Sequence, residues 1–172
     1  MAIPSLATYG GTLLQAGYPG QVSEGGPNVI RSMINANATG VDFGVAVGRV
    51  AGTAFGQTDK CCAIVTGSEI VQGISVRNPA PLVAPAAGGN NSVLYAQNTP
   101  VPVMTFGVIT VLAGETVAEG DTVLFITASQ QFGSVQTGAL AGTTRIAVPT
   151  AIWLDPATVG NTARIRITAS AT

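Results

Sequence analysis

Histidine is absent from the sequence. Its absence removes the usual Ser-His-Asp and Cys-His nucleophile systems, histidine proton shuttles and nearly all catalytic zinc sites. Charge is scarce as well: 7 Lys+Arg and 8 Asp+Glu in 172 residues, where an ordinary soluble domain of this length carries about 43 charged residues. A net charge of −1 and a single lysine, Lys60, exclude the dense cationic stripe that nucleic acid requires, and no polybasic membrane patch exists. Gly, Pro, Thr or a charge interrupts every hydrophobic stretch, so no run approaches the roughly 18 residues of a membrane span. The first basic residue is Arg31, and the amino terminus lacks the positive and apolar regions of a secretory signal. Cys61 and Cys62 are adjacent; neighbouring strand residues face opposite ways, so a bridge between them is strained. They read as small packing residues in a reducing cytoplasm.

What remains is apolar. A chain of 17.2 kDa fits one domain, and by mass scaling it exposes roughly 7,800 Å², or one charge per roughly 500 Å². With 47% hydrophobic residues and a mean hydropathy of +0.44, such a surface is poorly protected against association. Much of it is expected to be buried in an assembly.

Residues 1–40 are rich in turn formers, including Gly10-Gly11, Gly17-Tyr18-Pro19-Gly20 and Gly25-Gly26-Pro27, and read as an extended N-terminal arm. Val29-Ile30 followed by Met33-Ile34 fits a short helix or an irregular strand. From Val41 the period becomes two: Val41, Phe43, Val45 and Val47 alternate with Asp42, Gly44, Ala46 and Gly48. Further strands are expected at Cys61–Thr66, Ile70–Arg77, Ser92–Ala96, Val101–Thr105, Gly107–Leu112, Thr122–Thr127, Ser134–Thr137, Arg145–Val148 and Arg164–Thr168. The fold class is therefore mainly β: a small β-barrel of short antiparallel strands after an extended N-terminal arm, with a jelly-roll sandwich as the alternative. Residues 41–172 form a single β domain interrupted by a long Pro/Ala/Gly-rich loop at 78–91. The sequence displays no internal repeat of convincing period.

Candidate chemistry is sparse. Gly73-Ile74-Ser75-Val76-Arg77 begins like a nucleophile elbow but lacks the closing glycine and a following helix. Lys60 follows Thr58-Asp59, not a phosphate loop. Glu115, Glu119 and Asp121 could hold a cation or perform acid/base work, but Glu119-Gly120-Asp121 between two apolar runs is also the grammar of a tight turn. No catalytic residue, metal site, cofactor or small-molecule substrate is expected. Arg164 and Arg166 share one face of the last strand, either as a solvated face or as a contact to acidic groups on a partner.

Several segments occur in a telling order: Gly17-Tyr18-Pro19-Gly20-Gln21, Phe43-Gly44-Val45-Ala46-Val47, Gly73-Ile74-Ser75-Val76-Arg77, Tyr95 with Val101-Pro102-Val103, and Ala118-Glu119-Gly120-Asp121-Thr122-Val123. Together, over roughly residues 16–126, they resemble the structural cement, or decoration, proteins of tailed-bacteriophage capsids. The resemblance implies a non-enzymatic virion protein on the capsid exterior, assembled in the bacterial host cytoplasm. It implies the major capsid protein as partner and a dimer or trimer as the oligomer. The expected contact residues are Tyr18, Pro19, Gly20 and Gln21 in the arm and Arg164 and Arg166 in the last strand, with the loop at 78–91 as a second contact. A tail or fibre component, and a histidine-free binding or hydrolytic domain using the Glu115–Asp121 carboxylates, are the alternatives.

Overall fold

The computed structural model describes residues 17–23, 26–36, 40–50, 60–63, 69–78, 95–134 and 144–168. Nine strands follow one another: β1 (Val29–Asn35), β2 (Ala46–Val50), β3 (Lys60–Ala63), β4 (Glu69–Ser75), β5 (Pro100–Leu112), β6 (Thr122–Ile126), β7 (Gln131–Ser134), β8 (Arg145–Trp153) and β9 (Thr162–Ile167). They join into one sheet of order β1-β3-β2-β4-β5-β9-β8-β6-β7, and β1 also pairs with β5. The all-β class holds; the arrangement is one curled sheet, not the two facing sheets of a jelly roll.

The extra pairing closes the first half. β5 binds β1 on one edge and β4 on the other, with Met104 opposite both Ile30 and Ile74. β4 pairs with β2, β2 with β3, and β3 returns to β1 through Ile34 opposite Lys60. These five strands form a ring. The β1–β3 contact is parallel, which requires a long crossover, here residues 36–59 with β2 inside it. Val29–Asn35, ambiguous between helix and strand by periodicity, is thus a ring strand. The alternation from Val41 to Val47 is only partly strand, because Phe43 and Gly44 turn, Gly44 with φ +67, before β2 begins at Ala46.

The second half curls from the other end of β5. β5 pairs with β9 from Gly107 to Leu112, β9 with β8, β8 with β6 and β6 with β7. The curl comes back to β5 through a single Ala113–Phe132 bridge. Gly107 marks the change of partners. Its φ of +127 bends the strand without ending it, and a side chain there would run into Asn28. The two expected strands on either side of this glycine are consequently one strand of 13 residues.

A repeated turn that the sequence does not advertise ends the curl. Val117 N–H donates to Ala157 O and Ala157 N–H to Val117 O, at 2.9 and 3.1 Å. Gly120 N–H donates to Trp153 O as Gly160 N–H donates to Ala113 O; Trp153 N–H donates to Asp121 O as Ala113 N–H donates to Asn161 O. The two turns are related by a local twofold axis. Gly120 and Gly160 both take positive φ, at +85 and +82, followed by Asp121-Thr122 and Asn161-Thr162. A shared Gly-Asx-Thr was the only signal.

One apolar cluster fills both halves. Met33, Val47, Ile74, Tyr95, Val101 and Val103 lie within the ring; Ile109, Phe125, Phe132, Trp153 and Ile165 lie within the curl. Phe125 and Phe132 meet edge to face at 5.1 Å. Among the described residues no helix is long and apolar enough to cross a membrane. The expected loop at 78–91 lies, from residue 79 on, outside the described residues, as do residues 1–16 and the end of the strand expected at Ser134–Thr137.

Candidate partner-contact surfaces

The Tyr18–Gln21 segment is a turn locked onto the sheet. Proline at its second position and a positive-φ glycine at its third, Gly20 with φ +79, are what a type II turn demands. Gln21 N–H donates to Tyr18 O at 3.0 Å, and the Gln21 side-chain oxygen accepts from Tyr18 N–H at 3.1 Å. Gly20 is buried and tied on both sides: its N–H donates to Thr110 O (2.8 Å), and its carbonyl accepts from Arg77 N–H (2.7 Å). A Cβ on Gly20 would sit 2.8 Å from the backbone nitrogens of Arg77 and Gly44. Only glycine lets this turn lie so close to the Phe43-Gly44 turn. The following residues then line β5, with Val22 opposite Ile109 and Ser23 N–H donating to Val108 O.

The expected contact residues therefore divide by role. Gly20 holds the backbone; Tyr18, 66% exposed, and Gln21 face solvent, and Pro19 is half-buried. Tyr18 is not bare: the Arg77 guanidinium carbon lies 4.8 Å from its ring centroid and 5.6 Å from that of Phe43. Phe43 in turn packs edge to face on buried Tyr95, centroids 5.1 Å apart.

Arg164 and Arg166 lie on the exposed side of β9, as alternation requires. They differ. Arg164 forks onto Asp155, Nε and Nη2 each 2.7 Å from a carboxylate oxygen. That pairing holds the Asp155 carboxyl below its usual range and raises the Arg164 guanidinium further. Arg166 has no ion pair among the described residues and lies opposite Val108 and the 39% exposed Ile152. β5 brings the two groups together: Gln21 and Ser23 flank it on one edge and β9 on the other, and Thr110, opposite Arg164, hydrogen-bonds Ser23 at 3.2 Å.

The three carboxylates near residue 120 do not converge. Glu115 turns inward and forks onto Arg145, both contacts 2.9 Å, while also accepting from Ser134 N–H at 2.6 Å. Asp121 accepts from Ala118 N–H at 3.0 Å within its own turn, and Glu119 is exposed at the tip. Among the described residues no group of three His, Cys, Asp or Glu could hold a metal.

The sequence matches, over residues 6–168, the family model described as structural cement protein (E217 gp24/Pam3 gp6). The chain belongs to this phage structural cement family. Membership makes the cement protein a structural component of phage capsids. Its fold recurs among five matching solved chains. One, from "The capsid of Myoviridae Phage XM1", has a TM-score of 0.64 and 16% identity and covers 90% of this chain and 92% of that one. No curated protein matches. The residues grouped with Tyr18 that sequence reasoning passed over are Phe43 and Arg77. Both lie in segments that carry the family resemblance, which was the available signal.

Proposed function

We propose that the cement protein binds the outside of the assembled phage capsid and ties neighbouring major capsid proteins together, so that the expanded shell resists internal pressure. The match to the cement family over residues 6–168 carries this reading. The low charge of the chain supports it, since two or three standard contacts of about 800 Å² per partner would occupy much of the surface. Repetition over a lattice then adds avidity, because a subunit held at one contact meets the next at high effective concentration. Tyr18 at the exposed turn, Arg166 and the residues preceding Gly17 are the assigned contacts, with dimer or trimer formation on a local symmetry axis.

Cosedimentation with expanded and unexpanded shells tests the reading. The full chain should bind the expanded shell and raise its melting temperature; indifference to the shell sinks the proposal. Deletion of residues 1–16 should weaken binding and leave the fold intact. The deletion has to stop there, because the turn at Gly17–Gln21 and β1 are part of the sheet.

A further inference from the structure

Arg77 follows the end of β4, and its guanidinium carbon lies near two rings, 4.8 Å from the Tyr18 centroid and 5.6 Å from that of Phe43. Stacking occupies the faces of a guanidinium and leaves its in-plane donors unused. Among the described residues the Arg77 side chain makes no hydrogen bond and no ion pair, unlike Arg145 and Arg164, each forked onto a carboxylate of its own chain. Arg77 also lines a groove of about 350 Å³ between ring and curl, with Pro19 and Phe43 on one wall and Leu112, Gln130 and Gln131 on the other. A guanidinium held against aromatic rings has less freedom to lose, so a carboxylate that reaches it needs to immobilise less.

The groove contains one further charge, Asp42, which forms no ion pair with Arg77. Partial burial pushes its carboxyl above the usual range, opposed by the Phe43 backbone N–H. The chain itself has few carboxylates to offer a sister copy. Of its eight, Glu115 and Asp155 are held by arginines, Asp121 closes its own turn and Asp42 lines the groove. That leaves Glu24, Asp59, Glu69 and Glu119, so a sister copy has at most four carboxylates to offer and stands as one outcome of the test below, while the reading pursued is a carboxylate of the shell.

We propose that this groove receives an Asp or Glu side chain of the major capsid protein, forked onto Arg77, with the exposed ring of Tyr18 covering the contact. The proposal rests on the cement reading and names the chemistry of its partner. Tyr18 then acts twice, as the clamp that orders Arg77 and as apolar surface at the interface.

Binding of wild type, Arg77→Ala and Arg77→Glu to expanded shells is compared, with thermal melts of each free protein to confirm folding. Arg77→Glu should weaken binding at least about tenfold, and Arg77→Ala by less, since it removes attraction without adding repulsion. In a second measurement, Arg77→Lys in a Lys60→Arg background leaves one lysine in the chain, and zero-length carbodiimide coupling on the shell reports the carboxylate beside it. A cross-link to an acidic residue of the major capsid protein supports the proposal. A cross-link to Asp42 or a sister copy alone, or no cross-link while binding persists, overturns it. If wild type binds and Arg77→Glu binds equally, only the groove falls; if wild type does not bind at all, the cement reading falls and takes the groove with it.

Discussion

Among the described residues, the buried polar anchors of the ring are neutral. Asn35 donates to the carbonyls of Tyr95 and Ala96 at 2.8 and 3.2 Å; Ser75 donates to Asp42 O at 2.6 Å and accepts from Val45 N–H; Tyr95 donates its hydroxyl to Val76 O at 2.6 Å. In the curl the corresponding anchor is ionic, the half-buried Glu115–Arg145 fork, assisted by Trp153 Nε1–H donating to Gly133 O at 3.0 Å. Gly133 permits the fork, since a side chain there would occupy the Glu115 carboxylate. The contrast follows from what each half joins. The ring's neutral donors tie loop backbone to strand backbone, where a charge would be desolvated without an opposite partner; the curl has two opposite charges to bring together.

The largest expected effect asks whether the halves are separable at all. Trp153→Ala removes the biggest fully buried side chain of the curl, at a cost of about 4 kcal/mol. Because β5 belongs to both halves, amide exchange at Val101–Met104 in the ring should accelerate together with that at Ile165 in the curl. Unchanged ring exchange would mean that Gly107 separates two independent folding units.

Next, pH should separate the anchors. Burial, opposed by the Asn78 backbone, pushes the Tyr95 hydroxyl from 10.0 up to about 12. A group whose folded value is raised contributes stability fully present below the unfolded value, so the contribution is intact below about pH 10 and is lost between about 10 and 12. The loss is about 3 kcal/mol at most. Tyr95→Phe should cost about 1 kcal/mol at neutral pH through the lost hydrogen bond and flatten the decline above pH 10 in chemical denaturation. A decline of unchanged slope would place the alkaline sensitivity elsewhere.

The smallest effect concerns the exposed edge of the curl. The Asp155 carboxyl is lowered from 3.8 chiefly by the side-chain hydrogen bonds of Arg164, so its contribution is present above pH 4 and disappears as the pH falls through the lowered value. Because the pair is partly exposed, Asp155→Asn should cost at most about 0.5 kcal/mol and lose that effect in high salt. A salt-independent loss above 1 kcal/mol, measured by urea denaturation, would show that this edge is held as the half-buried Glu115 fork is.

Legibility in the sequence tracked distance along the chain. Tyr18-Pro19-Gly20-Gln21 and Glu119-Gly120-Asp121 could be read as turns, since the required φ values belong to residues inside the motif. Arg164 and Arg166 could be placed on one exposed face by counting. That Arg164 is engaged by Asp155 could not, and neither could the separation of Glu115 from its neighbours Glu119 and Asp121, because each partner comes from another strand or turn. The twofold relation of the Gly120 and Gly160 turns was missed for a further reason: the two segments share only a glycine and a threonine, with Asp121 where the other has Asn161, and their likeness lies in reciprocal backbone bonds.

By itself the sequence determined the strand-rich class, the positions of the glycine turns and the scarcity of charge, all set by composition and by preferences within a few residues. The ring closure through the parallel β1–β3 pair, the change of partners along β5 at Gly107, and the placement of Arg77 beside Tyr18 and Phe43 were decided only by the tertiary structure. These contacts join residues tens of positions apart. Backbone groups pair with whichever strand packing brings alongside, so no local pattern encodes the partner.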